Sequence, residues 1–255
     1  MKYLLPLFAL LFGYACLDDD DTRVSSEDTV ELNVDFRAAF GGEDLTIQDV
    51  TYQYPLNDIP FKNTLFQYYV SDLELLPADG GDPVLLTEID LLRYESAGAG
   101  ATVNRRYEVP GGDYRGVRFG LGVKPSLNAR NPNEFAADYV LNENEFWNAN
   151  ARYVFAKIEA NVDLENDGTF DTGLSYHLGS DDLYRELTLS ETFTVEAGSR
   201  IIISADVFDA FSVEEDFSDA FDISDPDRQR VHGGNQAVAT ELWDRLAGSF
   251  RLTVR

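Results

Sequence analysis

Residues 146–179, FWNANARYVFAKIEANVDLENDGTFDTGLSYHLG, decide the fold class. The first half sets Tyr153, Phe155 and Ile158 among small and polar neighbours. The second alternates Leu174, Tyr176 and Leu178 with Ser175, His177 and Gly179. A repeat of two residues puts successive side chains on opposite faces, as in a strand with one face on a core. The stretch therefore predicts two strands joined by an acidic, glycine-containing turn over 163–171. It also carries Trp147 before the first strand and His177 near the end of the second. The chain has two tryptophans and two histidines, so site chemistry concentrates here.

Working outward, the same reading recurs. Val30, Leu32, Val34 and Phe36 alternate with Glu31, Asn33, Asp35 and Arg37, a strand that Gly41-Gly42 ends. Residues 46–63, with Pro55 and Pro60, read as an ordered loop. Phe66, Tyr68, Val70, Leu73 and Leu75 mark a strand whose phase slips at Ser71-Asp72, the sign of a bulge. Strands follow over 84–95, near Tyr107 and Val109, and over 117–123, with Pro110-Gly111-Gly112 as a turn. A short helix is expected at 134–141, a hairpin over 184–196 turning near Ser190, and a buried strand from Ile201 to Val207. Asn235 is placed to cap a helix over 236–247, whose apolar face is Val238, Leu242, Trp243 and Leu246. Phe250, Leu252 and Val254 close the chain as a strand. Many short strands with turn signals between them predict an all-β fold, a β-sandwich of antiparallel strands with small helical insertions.

The start of the chain reads differently. MKYLLPLFALLFGYAC has one early Lys, an apolar run and small residues before Cys16, the sole cysteine. It reads as a secretory signal over 1–16, too short to span a membrane in the mature protein. Gly13-Tyr14-Ala15-Cys16 resembles a lipobox, which makes Cys16 the lipidation site; an ordinary signal peptide with an incidental Cys is the competing reading. Asp18 to Asp21 follow, and residues 17–28 read as an acidic tether. The folded domain is then 29–255. This start points to an outer membrane lipoprotein of a Gram-negative cell, periplasmic or surface-exposed, touching membrane only through its lipid anchor.

Acidic residues number 46 against 20 basic, for a net charge of −26. Such a surface repels nucleic acid, which is excluded as a partner. It also makes acidic clusters common by chance. No nucleophile motif, phosphate loop or spaced Cys/His cluster is present, so the sequence does not read as an enzyme.

YRGVRFGLGV at 114–123, then Pro125 and Asn128, then FWNANARYVFAKIE, then YHLG, resemble the MbnP-like family. FQYYVSDLEL at 66–75 and VELNVDFRAAFGGEDL at 30–45 are similar to earlier strands of that family, in the right order. The resemblance implies a copper-binding extracytoplasmic protein, partnered by a di-haem cytochrome c peroxidase-like protein that oxidises a tryptophan to kynurenine. It implies a metal role for His177 and a redox role for Trp147. Ala149 stands where the family has a second Trp, Arg152 where it has Gly, and Ala129 where it has His. The site is thus expected to be weakened.

Each candidate has a plainer reading beside it. A lone strand histidine is commonly structural or bonded to a carboxylate; His232, in VHGGN, is a second copper ligand only where the fold brings it close. Trp147 reads more simply as a core or rim aromatic, and Trp243 as core. Asp163, Glu165, Asp167 and Asp171 place oxygens around Gly168 as calcium loops do, with Leu174 at the usual acidic twelfth position. A solvated turn is the alternative. A surface module for glycan or protein, using the aromatics of 52–69 and stabilised by calcium, is the second functional class. Replacing the anchor tests the localisation: Cys16→Ala is expected to move the protein from the membrane fraction to the soluble one, and unchanged membrane retention would contradict it.

Overall fold

A computed structural model describes residues 29–96, 100–142, 145–214 and 216–255. The signal, Cys16 and the acidic tether lie outside the described residues. The chain runs β1 (Thr29–Phe40), β2 (Glu43–Asp44), β3 (Tyr52–Tyr54), β4 (Ile59–Pro77), β5 (Val84–Tyr94), β6 (Thr102–Pro110) and β7 (Gly112–Leu121). After a one-turn helix α1 (Pro125–Asn128) come β8 (Phe146–Asn148), β9 (Arg152–Tyr153), β10 (Ala156–Val162), β11 (Thr172–Leu178), β12 (Arg185–Val195) and β13 (Arg200–Asp206). The last elements are β14 (Arg230–His232), α2 (Gln236–Gly248) and β15 (Arg251–Val254).

Two sheets form the sandwich. One has the order β15-β13-β1-β2, with β6 also on β1; the other runs β12-β7-β4-β10-β11-β14, with β3 and β5 also on β4. Most pairings are antiparallel, as expected. β1 with β13 and β11 with β14 are parallel, so both sheets are mixed. Period-two patterning does not distinguish the two kinds of pairing, because both alternate faces.

The inner faces meet through aromatic rings. Phe40 of β1 lies 5.3 Å from Phe61 of β4, and the Tyr94 hydroxyl donates to the Phe36 carbonyl at 2.9 Å. The aromatics of 52–69 belong here: Tyr54, Phe61, Phe66, Tyr68 and Tyr69 are fully buried. These five cannot form a recognition surface, because β3 and β4 carry them into the core, and both strands run through the segment expected to be a loop. Trp243 is buried on α2 against Phe155, 6.2 Å away. Asn235 caps α2 through Val238 N. No described helix is long and apolar enough to cross a membrane.

β4 is the long spine that positions the outer-face chemistry. One of its edges takes β10 over Phe61 to Tyr68 and β7 from Val70 onward. The handover occurs at Tyr69, whose N–H donates to the Phe155 carbonyl and whose carbonyl accepts from Gly122 N. Asp72 has φ 46°, and the ladder to β7 shifts register between Ser71 and Glu74, which is the expected bulge. Two other local expectations change. In place of a hairpin, Arg185–Val195 form one strand, β12, with an irregularity between Ser190 and Phe193. The one extra residue fits because Gly116 lies opposite; a Cβ there would meet the Leu189 carbonyl oxygen at 2.3 Å. In place of a helix at 134–141, α1 and a single turn of 3-10 helix at Pro132–Glu134 precede non-helical chain.

Gly122 sits at the handover with φ 100°, and a Cβ there would lie 2.5 Å from the Phe155 ring. Backbone strain and overpacking each cost about 1–3 kcal/mol. Gly122→Ala is therefore expected to lower unfolding free energy by roughly 2 kcal/mol or more in urea titration. An unchanged midpoint would contradict this packing.

Candidate functional site

The site lies on the outer face of the β4-sheet. On β10, Ala156, Ile158 and Ala160 enter the core, so Lys157 and Glu159 face outward; on β11, Leu174, Tyr176 and Leu178 do the same for Ser175 and His177. Cross-strand register aligns Arg93, Gln67, Lys157, His177 and His232 in one row over five strands. Glu159 and Ser175 face each other in the parallel row beside it. His232 reaches this row because β14 pairs parallel with β11, which the sequence could not place.

β14 has only three residues, so its attachment needs explaining. Val231 is buried opposite Tyr176, while Arg230 and His232 face outward. Burying a Val side chain contributes about 1.5–3 kcal/mol. The Ser175 N–H to Gln229 carbonyl bond extends the ladder by one step. Just before β14, the Arg228 guanidinium lies 4.0 Å above the Phe221 ring and pairs with Glu241 of α2 at 2.7 Å. After it, Gly233, with φ 78°, turns the chain toward the α2 cap.

The side chains converge. The two imidazole rings stack at 4.5 Å between centroids, 6° from parallel. Ser175 Oγ lies 2.8 Å from His232 Nε2 and 3.3 Å from His177 Nε2. Glu159 Oε1 lies 2.7 Å from His177 Nε2. A carboxylate only accepts, so His177 carries its proton on Nε2 and donates it to Glu159. The Ser175 hydroxyl then donates to the unprotonated Nε2 of His232. Partial burial, then the charge of a protonated His177 and that of Arg230, hold the His232 pKa below its usual 6.5 despite Glu159. The neutral acceptor form is thereby favoured.

Trp147 covers the pair from β8. Its ring stands edge-on to both imidazoles, 6.1 Å from His177 and 5.5 Å from His232, and it remains 42% exposed. A hollow of about 250 Å³ lies on its His177 side, lined also by Glu145, Phe146, Val154 and Lys157. Another of about 400 Å³ lies on its His232 side, lined also by Asn148, Asn150, Ala151 and Gly233. Two anchors hold the β8–β9 hairpin in place. Buried Glu145 pairs with Lys157 at 2.6 Å and with Arg93. Asn128 Oδ1 accepts from Tyr153 N at 3.1 Å, and its amide donates to Asp181. Ala129 lies beside this hairpin: its carbonyl accepts from Arg152 at 3.2 Å.

The structure thus brings together Trp147, His177 and His232, and adds Glu159, Ser175, Lys157 and Glu145. The alternation in AKIEANV places Lys157 and Glu159 outward, the signal that could have found them. The acidic turn is a different matter. Asp163 is buried and its carboxylate accepts from Asp167 N at 3.1 Å and Gly168 N at 2.6 Å. Asp167 caps Thr169 N at 2.8 Å, and Asp171 lies 3.4 Å from the Thr172 hydroxyl. The Asp163 and Asp167 oxygens hold backbone N–H groups of the hairpin turn, and Glu165 is exposed beside them. Among the described residues, no group of three or more His, Cys, Asp or Glu stands ready to hold a metal. At the histidine pair, His177 Nε2 is engaged with Glu159 and His232 Nε2 with Ser175.

The MbnP family model matches residues 29–228. Among solved structures, the chain is similar to MbnP from Methylosinus trichosporium, with a TM-score of 0.54 and 16% identity. That likeness covers 89% of this chain and 99% of the other, and at this identity it concerns the fold. No curated protein matches the chain.

A depressed histidine pKa means the unfolded chain takes up the proton first. His232's contribution to stability is then full above 6.5 and falls as pH drops from 6.5 toward the folded value. Imidazole NMR titration of the metal-free protein is expected to place the His232 midpoint below 6.5. A midpoint at or above that value would contradict the neutral assignment.

Proposed function

The chain belongs to the MbnP family, and from that membership we propose that it is a non-enzymatic, extracytoplasmic protein that holds copper on His177 and His232, beside Trp147. The observation that carries this reading is the stacked pair itself, two imidazoles 4.5 Å apart under one exposed indole. One imidazole alone is a poor copper site. The register of β14 with β11 supplies a second from 55 residues further along the chain.

The donor types suit copper, which would take the place of the bonds that His177 Nε2 makes to Glu159 and His232 Nε2 makes to Ser175. Imidazole nitrogen is a favoured ligand for copper, and a nearby carboxylate is compatible with it. When bound, copper would supply a redox-capable centre. The protein's own residues do the rest: Ser175 and Glu159 orient the two rings, and Trp147 screens one side from water. The Glu145 ion pairs keep Trp147 over the rings. His232 lies beyond the family match, which ends at residue 228. This supports a site completed locally, with Ala129 and Ala149 in positions where the family resemblance leads one to expect His and Trp.

The exposed edge of Trp147 next to both histidines supports its reading as the tryptophan that a di-haem peroxidase-like partner oxidises. Lipidation at Cys16 would hold the protein at the outer membrane, on the periplasmic or surface side. Competitive copper titration of metal-free protein tests the site. His177→Ala and His232→Ala are each expected to weaken binding by more than roughly tenfold, the low end of what even an outer-shell loss costs. Tight binding unaffected by either substitution would place copper elsewhere, and no binding by the wild type would remove the reading.

A further inference from the structure

We infer that the hollow on the His232 side of Trp147 binds a neutral saccharide, one hexopyranose ring lying against the indole with its hydroxyls held by Asn148 and Asn150. The site needs no metal. Its first support is the lining: Trp147, Asn148, Asn150, Ala151, His232 and Gly233 border about 400 Å³. Small-molecule sites run from about 300 to 1,000 Å³. None of these six residues is Asp, Glu, Lys or Arg, in a chain with 46 acidic and 20 basic residues. Other hollows carry charge. The one on the His177 side has Glu145 and Lys157, one beside Pro110 has Asp79, Asp82 and Asp113, and one beside α2 has Asp209 and Arg251. An uncharged lining suits an uncharged ligand, and the net charge of −26 repels anionic ones.

The second support is the pairing of group types. Trp147 is 42% exposed and offers flat apolar ring surface. Asn148 and Asn150 are exposed beside it, and a side-chain amide carries both donors and an acceptor. A pyranose presents matching surfaces, C–H groups above and below the ring and hydroxyls around its rim. Gly233 has φ 78°, and a Cβ there would meet nothing within 4 Å, so bare backbone borders the hollow where a ligand can come close. The walls are set in advance. Asn148 Oδ1 accepts from Asn150 N and Ala151 N, both at 2.9 Å, which fixes the tip of the β8–β9 hairpin. The Glu145–Lys157 pair and the Asn128–Tyr153 bond hold its base. Binding then costs little loop-ordering entropy.

The test uses full-length metal-free protein titrated with two neutral oligosaccharides, cellohexaose and laminarihexaose, and with an anionic one, oligogalacturonate. Indole N–H resonances are read by NMR, with buried Trp243 as the internal reference. The expected result is a saturable shift of the Trp147 resonance with a neutral oligomer, at a Kd of about 1 mM or tighter. Calorimetry is expected to show affinity falling about tenfold or more in Trp147→Ala, and falling also in Asn150→Ala. Trp147→Tyr, which keeps a flat aromatic ring, is expected to retain most of it. Near-UV circular dichroism checks that each variant keeps the fold. A Trp147 resonance unmoved by both neutral oligomers up to about 10 mM, tenfold above that Kd, would overturn the inference. So would affinity unchanged in Trp147→Ala, or oligogalacturonate binding as tightly as the neutral chains.

Discussion

The backbone ladder between β11 and β14 is the constraint on which the outer-face chemistry depends. Its register pairs Ser175 with Arg230, Tyr176 with Val231 and His177 with His232. Because side chains alternate with a period of two, a slip of one residue would bury an imidazole and expose Val231. The burial of Val231 against the core therefore specifies the site as well as the strand. The same ladder logic runs back through β10 to β4, so that the bulged spine sets where Lys157 and Glu159 project.

Inner and outer faces of this sheet do different work with one set of strands. Inward, Phe66, Ile158, Tyr176 and Val231 form a continuous apolar row in the core. Outward, Arg93, Gln67, Lys157, His177 and His232 form a polar row whose charges are matched locally. Buried Glu145 joins two of its members, Arg93 and Lys157. A buried ion pair adds little net stability against its desolvation, but breaking one is costly. Its role here is positional, since Glu145 immediately precedes the β8 strand that carries Trp147. In a chain with a net charge of −26, cations at this spot are scarce enough for their placement to matter.

Much of the fold is legible in the sequence because half-buried strands announce themselves. β1, the centre of β4 and β13 follow directly from alternation, β5 from an apolar run after Gly80-Gly81, and the bulge at Ser71-Asp72 from the slip in phase. Pro55 and Pro60 suggested a loop over 46–63, where Tyr54 and Phe61 in fact pack into the core. Ser190 suggested a turn, but Gly116 across the ladder lets the strand absorb the irregularity instead. His177 and Trp147 were visible as rare, chemically capable residues on one hairpin. Their partnership with His232 was not, because a parallel pairing across 55 residues leaves no local trace. Glu159 was hidden differently: among 46 acidic residues, one more carboxylate carries no signal until its neighbour is known.

The claim that β14 places His232 against His177 beneath Trp147 can be tested without any metal. Nuclear Overhauser spectroscopy of metal-free protein, with labelled histidine and tryptophan, reads the proximity of these rings directly. Centroids 4.5 Å apart for the histidines and 5.5 Å for Trp147 and His232 predict strong imidazole–imidazole and imidazole–indole cross-peaks. These should vanish in His232→Ala while the fold persists. Imidazole protons with no mutual cross-peak in the folded wild type would contradict the pairing and the site built on it.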